Sequence, residues 1–148
     1  MHELPVGFSE FPGVPARYRL AAAVPLPVFL AVMRTGRRAA RKDRTVRLVR
    51  ALRDCGRTAT LPEAENAVHA VRRFGLFSPV RVACLEESVA AALAPALLGR
   101  GVRWCHGVIA DPIRLHAWIE AEGRPVAEPD STRRCTALLT IPTVEETT

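Results

Sequence analysis

The hydrophobic period of the chain changes near residue 102. Before this point apolar residues recur at the three- and four-residue spacing of helices, and after it they fall in short runs that are typical of strands. The predicted strands are residues 102–110, 116–121, 124–127 and 138–141. Helices followed by strands favour an α+β fold with a mostly antiparallel sheet.

Three helical segments are predicted before that change. The first covers residues 28–55, and Gly36 is a point at which it can break. Thr60 and Glu63 form a capping box that opens the second, which ends at Gly75. The third covers residues 84–98, where Pro95 is expected to kink or end it. Prolines and glycines in residues 1–19 predict irregular structure there.

The chain has 148 residues, which suits one domain with an appendage. We expect a basic helical region over residues 1–57 and the main core over residues 58–148. The longest apolar stretch is residues 20–33, shorter than the roughly 20 residues of a membrane span, and Pro25 and Pro27 divide it. We therefore expect a buried segment with a helical turn on either side of the prolines. Contact with a membrane interface is the alternative.

Cysteine usage indicates a reduced compartment. The four cysteines form no CxxC pair, and the N-terminal residues lack the basic and apolar regions of a signal peptide. We expect a cytoplasmic protein with free thiols, any of which can be reactive.

The net charge of +6 is unevenly distributed. Residues 1–57 hold twelve Lys and Arg against four Asp and Glu, whereas the remaining residues hold nine against eleven. Arginines follow one broad face of the first predicted helix, at Arg34, Arg37, Arg38, Arg41, Arg44, Arg47, Arg50 and Arg53. Such a face either binds an acidic partner or is merely solvated, and the lack of interleaved aromatic residues favours the second interpretation over nucleic-acid binding.

Cys84 is the best candidate for a nucleophile. A thiol attacks only as thiolate, and the N–H groups and dipole at a helix N-terminus favour that anion. Cys84 is the first residue of a predicted helix, whereas Cys55 ends the basic helix, Cys105 lies within a strand and Cys135 lies in a loop.

The base for such a nucleophile is expected to be His116, which opens a strand of the predicted sheet. Its imidazole needs an orienting group, for which Glu120, Glu128 and Asp130 are candidates. Glu120 lies on the same face of the strand but roughly 13 Å away, which is too far to orient the ring.

These residues lie in motifs that resemble the leader peptidases of lasso-peptide biosynthesis, which have a transglutaminase-like fold. The matching stretches are Ala83-Cys84-Leu85-Glu-Glu-Ser88, Leu97-Leu98-Gly-Arg-Gly101, Trp104-Cys-His-Gly107-Val108, His116-Ala117-Trp118-Ile119-Glu120, Gly123-Arg-Pro-Val126 and Glu128-Pro129. The resemblance covers about residues 76–142 and extends loosely into the Arg-rich N-terminal region.

The resemblance implies a cysteine protease that removes the leader from a ribosomally made precursor. Cys84 would be the nucleophile, His116 the general base and Glu128 the third member, with Asp130 as the fallback. The family has an aspartate at the third position, so Glu128 is a departure in side-chain length. Residues 111–115 also depart from the usual Pro-Phe-x-Ala. The family acts without metal or other cofactor.

The implied partners are the precursor's leader peptide, a small leader-recognition protein and a lasso cyclase. Two other functions remain open. One is an acyltransferase that passes the same thioester to an amine, and the other is a non-catalytic binding module that uses the arginine face. A zinc site of Cys105, His106 and Cys135 is disfavoured, because adjacent strand residues point to opposite faces.

Overall fold

The computed structural model describes residues 13–52, 56–110 and 112–142. Residues 1–12, 53–55, 111 and 143–148 lie outside this description. The helices are α1 (Ala16–Ala23), α2 (Pro25–Arg34), α3 (Arg41–Leu52), α4 (Leu61–Gly75) and α5 (Cys84–Leu97), with 3₁₀ helices at Arg38–Ala40 and Asp130–Arg134. The strands are β1 (Arg57–Thr58), β2 (Arg100–Gly101), β3 (Arg103–Ala110), β4 (Ile113–Ala121), β5 (Arg124–Pro125) and β6 (Thr136–Ile141).

The apolar N-terminal stretch is divided into two helices at its first proline, whereas Pro27 lies within the first turn of the second helix. Helix α1 ends at Ala23 and α2 begins at Pro25, where the missing N–H of proline costs no helical hydrogen bond. The prediction of irregular structure over residues 1–19 was wrong from Ala16 onward. Pro15 occupies the N-cap, so the proline that suggested a break instead precedes the first turn.

The segment Ala16–Arg34 is long and apolar enough, by length and composition alone, to cross a membrane. That is a weak indication, because core helices of soluble proteins meet the same criteria. Here Tyr18, Phe29 and Met33 are buried in the apolar core of the protein. A cytoplasmic location stays a prediction.

The basic segment breaks where the sequence predicted. Gly36 adopts a φ of +81°, a conformation that favours glycine, and a 3₁₀ turn leads from there into α3. Of the described arginines in this segment, Arg41 and Arg44 are half-buried and the others are exposed. The basic stripe is therefore solvated only in part.

Helices α4 and α5 pack together through small side chains. The α4 N-terminus has the predicted Glu63 carboxylate, which accepts a hydrogen bond from the Thr60 N–H at 2.9 Å. Pro95 lies inside the last turn of α5, which ends two residues later at Leu97. Helix axes approach more closely when the side chains between them are small. Buried alanines of the two helices are Ala64, Ala67, Ala70, Ala90, Ala91, Ala92, Ala94 and Ala96.

The four-stranded sheet is antiparallel throughout, in the order β5-β4-β3-β6. Helix α5 packs against β4 and β3, and α4 packs mainly against α5 and also contacts β4. The buried Trp104 of β3 donates its indole N–H to Ser88 Oγ of α5 at 3.0 Å. This bond satisfies two buried polar groups and fixes the helix on the sheet.

The predicted α+β class, with a helix led by Cys84 packed on a mostly antiparallel sheet, is confirmed. Strand β4 begins at Ile113, so His116 lies inside the strand and does not open it as expected. One apolar cluster joins α1, α2 and α3 to α4, α5 and the sheet. The division at residue 57 into two regions stays a prediction.

Candidate active site

Cys84 is the first residue of α5, as the sequence predicted, and its side chain is exposed. The preceding Ala83 is extended, with φ −93° and ψ 173°, and its N–H donates to the Glu86 carboxylate at 3.1 Å. This hydrogen bond caps the first turn of the helix. The N–H groups of that turn have no partner within the helix, so they favour negative charge beside Cys84.

His116 lies on β4 with its ring held on two sides. Its Nε2 lies 2.7 Å from Glu128 Oε2, and its ring stacks on the Trp118 indole with centroids 5.8 Å apart. Trp118 is buried and hydrogen-bonds through Nε1 to Glu120 Oε1 at 3.0 Å. Glu120 therefore holds the indole, and Glu128 contacts the imidazole.

The Glu128 carboxylate is nearly buried, at 9% exposure of its side chain. The buried Thr132 hydroxyl donates to Oε2 at 3.0 Å, and the Arg72 guanidinium donates from Nη2 to Oε1 at 3.2 Å. Both oxygens are thus satisfied, as a buried carboxylate requires. Asp130, the fallback candidate, is exposed and opens the following 3₁₀ helix.

Arg72 of α4 donates to three acceptors in two other segments, α5 and the loop after β5. Besides Glu128, its Nε donates to Glu87 of α5 at 2.6 Å and its Nη1 donates to the Ala127 carbonyl at 2.7 Å. Ala127 has a φ of +50°, which is unusual for a residue with a Cβ. Arg72 therefore fixes the backbone turn that delivers Glu128 to His116.

One cavity of about 270 Å³ brings the predicted site residues together. Cys84 at the helix terminus, His116 on β4 and Glu128 in the loop after β5 all line it. The rest of its wall consists of Val68, Arg72, Glu87, Ser88, Ala91, Ala117, Trp118, Ile119, Val126 and Pro129.

Two other described cysteines have unfavourable surroundings for a thiolate. Cys105 is buried between the strands, and desolvation raises the pKa of its thiol to about 12. Burial, assisted by Glu128, also raises the pKa of Cys135. Cys55 lies outside the described residues. Within the described parts of the chain no group of three or more His, Cys, Asp or Glu residues is arranged to hold a metal ion.

Comparison with protein families assigns the chain as a whole. The family model of the transglutaminase-like superfamily matches residues 26–140, from α2 to β6. The chain belongs to the transglutaminase-like superfamily. Searches of curated proteins and of solved structures found no significant match. Members of this superfamily are generally cysteine-dependent enzymes, and their fold is of the cysteine protease and acyltransferase type.

Sequence reasoning overlooked Arg72 and Thr132 of this transglutaminase-like site. Arg72 lies four residues after the buried Val68, so its position at the edge of the apolar face of α4 was readable. Its partners, 15 and 56 residues away, were not readable from that pattern. Thr132 lies four residues after Glu128, in a short 3₁₀ helix. This segment has no periodic pattern of apolar residues, so its helical turn was not predicted.

Proposed function

We propose that this protein is a cysteine protease that removes the leader peptide from a ribosomally synthesised precursor, as in lasso-peptide biosynthesis. The observation that carries the proposal is the cavity lined by Cys84, His116 and Glu128, with Glu128 on Nε2 of the imidazole. The superfamily supplies the class of chemistry. The choice of a leader peptide as substrate rests on the motifs at Cys84-Leu85 and at residues 116–120, which resemble those of lasso leader peptidases.

In the first half of the reaction, His116 accepts the thiol proton and the Cys84 thiolate attacks the scissile carbonyl carbon. Because Glu128 engages Nε2, the other ring nitrogen, Nδ1, faces the thiol in this mechanism. The carboxylate stabilises the imidazolium that results. Proton transfer from the imidazolium to the leaving amine then breaks the peptide bond and leaves a thioester on Cys84.

In the second half, His116 takes a proton from water, and the resulting hydroxide attacks the thioester carbonyl. The Cys84 thiolate leaves and takes the proton back from the His116 imidazolium, and the released carboxylic acid ionises to the carboxylate. Both tetrahedral intermediates carry an oxyanion, for which the Cys84 backbone N–H at the start of α5 is the proposed donor.

The proposed partners are the leader peptide, a small protein that recognises and presents it, and a lasso cyclase that uses the freed core peptide. The proposed location is the cytoplasm, where precursors are made. No metal enters the proposed mechanism, because proton transfer by His116 generates the nucleophile.

The test combines the protein with a lasso-type precursor and its recognition protein, chosen from the reading frames that neighbour its gene. We expect the masses of free leader and free core peptide to appear, and Cys84→Ala to abolish them. Normal cleavage by Cys84→Ala would refute the mechanism. The acyltransferase alternative predicts a different product. The acyl group would be joined to an acceptor amine, the original leaving amine would be released, and no water would be added.

A further inference from the structure

A second cavity, of about 290 Å³, is lined by residues that neighbour those of the candidate active site. It lies between the start of α3 and the sheet. Its wall contains the direct chain neighbours of two proposed catalytic residues, because Leu85 follows Cys84 and Leu115 precedes His116. Trp104 of this cavity also donates to Ser88 of the active-site cavity at 3.0 Å, so the two cavities lie on neighbouring parts of the same helix–sheet interface.

The cavity has an apolar wall and a cationic edge. The wall includes Val46, Leu85, Trp104, Leu115 and Leu139. The edge carries three permanent cations, Arg38, Arg41 and Lys42, and no acidic side chain lines the cavity. Asp43, the neighbour of Lys42 on α3, is exposed and does not line it.

Arg41 also carries an unused donor. Its Nε is buried and has no hydrogen-bond partner among the described residues. A buried donor without a partner is costly, so an acceptor that reached it would be bound favourably. The side chains that line this cavity supply no carboxylate for that purpose.

His106 lines this cavity, and its cross-strand partner lines the active-site cavity. It pairs with Ala117 across the strands, one residue from His116. The pKa of His106 is lowered by burial and then by the charges of Lys42 and His116.

We propose that this cavity, here called the basic subsite, binds an acidic side chain of the peptide substrate within three residues of the scissile bond. Glutamate or aspartate has the required form, a carboxylate for Arg38, Arg41 and Lys42 on a short apolar stem for the wall. The inference rests on the proposed protease function and specifies its substrate.

The experiment uses electrophilic peptides in matched pairs that differ only in glutamate or glutamine. Peptidyl vinyl sulfones sample the residues before the scissile bond, and N-chloroacetyl peptides sample those after it, with the variable residue at each of the first three positions. Intact mass and peptide mapping follow labelling of Cys84. We expect one position at which glutamate reacts about tenfold faster, which is the effect of one charge-assisted hydrogen bond.

Two double variants separate the basic subsite from the general positive field of α3. Arg38→Gln with Lys42→Gln removes two cations of the subsite and is expected to abolish the preference for glutamate. Arg47→Gln with Arg50→Gln removes the same charge from exposed positions of α3 that do not line this cavity, and is expected to retain it. Circular dichroism of both variants controls for folding.

Equal labelling rates for glutamate and glutamine at all six positions would overturn the subsite and leave the protease proposal standing. An equal loss of preference in both double variants would overturn it as well, because the effect would then be a long-range field. Absence of Cys84 labelling by every probe would instead contradict the proposed function, and the subsite with it.

Discussion

Arg72 and Glu128 are 56 residues apart in sequence and meet through Nη2 and Oε1 at 3.2 Å. The other oxygen of the same carboxylate contacts His116 at 2.7 Å. Arg72 thus acts on the imidazole through Glu128, and it also holds the carbonyl of Ala127 beside it. We regard it as a positioning residue of the candidate site.

Arg72→Ala is expected to lower the rate of leader release about tenfold or more, because a charge-assisted hydrogen bond to a positioned carboxylate is lost. Arg72→Lys is expected to restore little, since an ammonium lacks the planar fork that reaches three acceptors. The measurement is kcat together with its pH profile. A purely structural role of Arg72 would leave the shape of that profile unchanged. Arg73→Ala, on the adjacent exposed residue, is the control.

Glu128→Gln is expected to reduce kcat by about 10³-fold or more, because the amide neither fixes the imidazole in the same tautomer nor stabilises the imidazolium. Asp130→Ala is expected to leave kcat unchanged, since Asp130 is exposed in the structure. Parallel kinetic measurements on the two variants check this order. The reverse result would transfer the role of third residue to Asp130.

Alkylation at pH 7.5 is expected to modify Cys84 well before Cys105. A thiol whose pKa is raised from 9.0 to about 12 holds roughly a thousandfold less thiolate at this pH. Cys84 is also exposed, whereas Cys105 is buried. Iodoacetamide treatment with peptide mapping at successive times gives the order, and Cys84→Ala should remove the early adduct. Faster modification of Cys105 would contradict the burial seen on β3.

Gly107→Ala is expected to lower the free energy of unfolding by about 1–3 kcal/mol through overpacking. A Cβ at this position would overlap the backbone carbonyl of Thr136 and lie 3.0 Å from the Trp118 ring. Moving either neighbour costs free energy, because one is strand backbone and the other is the buried ring that stacks on His116. Urea unfolding measures the effect, and Gly13→Ala, where a Cβ meets nothing within 4 Å, is the control. Equal stabilities of the two variants would argue against this packing.

Acid is expected to weaken the ion-pair cluster at the start of α4. Hydrogen bonding to Arg57, with support from Thr60 and Arg100, holds the pKa of Glu63 at about 2, against 4.5 ordinarily. Because the folded pKa is depressed, its contribution is present above pH 4.5 and is lost as the pH falls toward 2. For a partly solvated cluster we expect about 1 kcal/mol. Unfolding of Glu63→Gln and wild type should therefore differ at pH 6 and converge near pH 2, whereas a constant difference would refute the linkage.

Local sequence signals located several features of the site. The break of the basic segment at Gly36, the start of α4 at Thr60 and the start of α5 at Cys84 were predicted from capping, turn and period signals that depend on neighbouring residues. The choice of Cys84 over Cys105 followed from the same logic, because a helix start and a strand interior are both local features. Residues 16–19 were misjudged, since Pro15 signals a helix start as readily as a break.

The sequence by itself determined the α+β class and the positions of Cys84 and His116 on a helix start and a strand, because hydrophobic period and capping act over a few residues. Strand spacing had excluded Glu120, and the resemblance had ranked Glu128 above Asp130. Only the tertiary structure showed that Glu128 meets the imidazole and that Arg72 and Thr132 hold that carboxylate. These contacts depend on how α4, α5 and the loop after β5 pack together. Their side chains are distant in sequence, so no local pattern encodes which atoms meet.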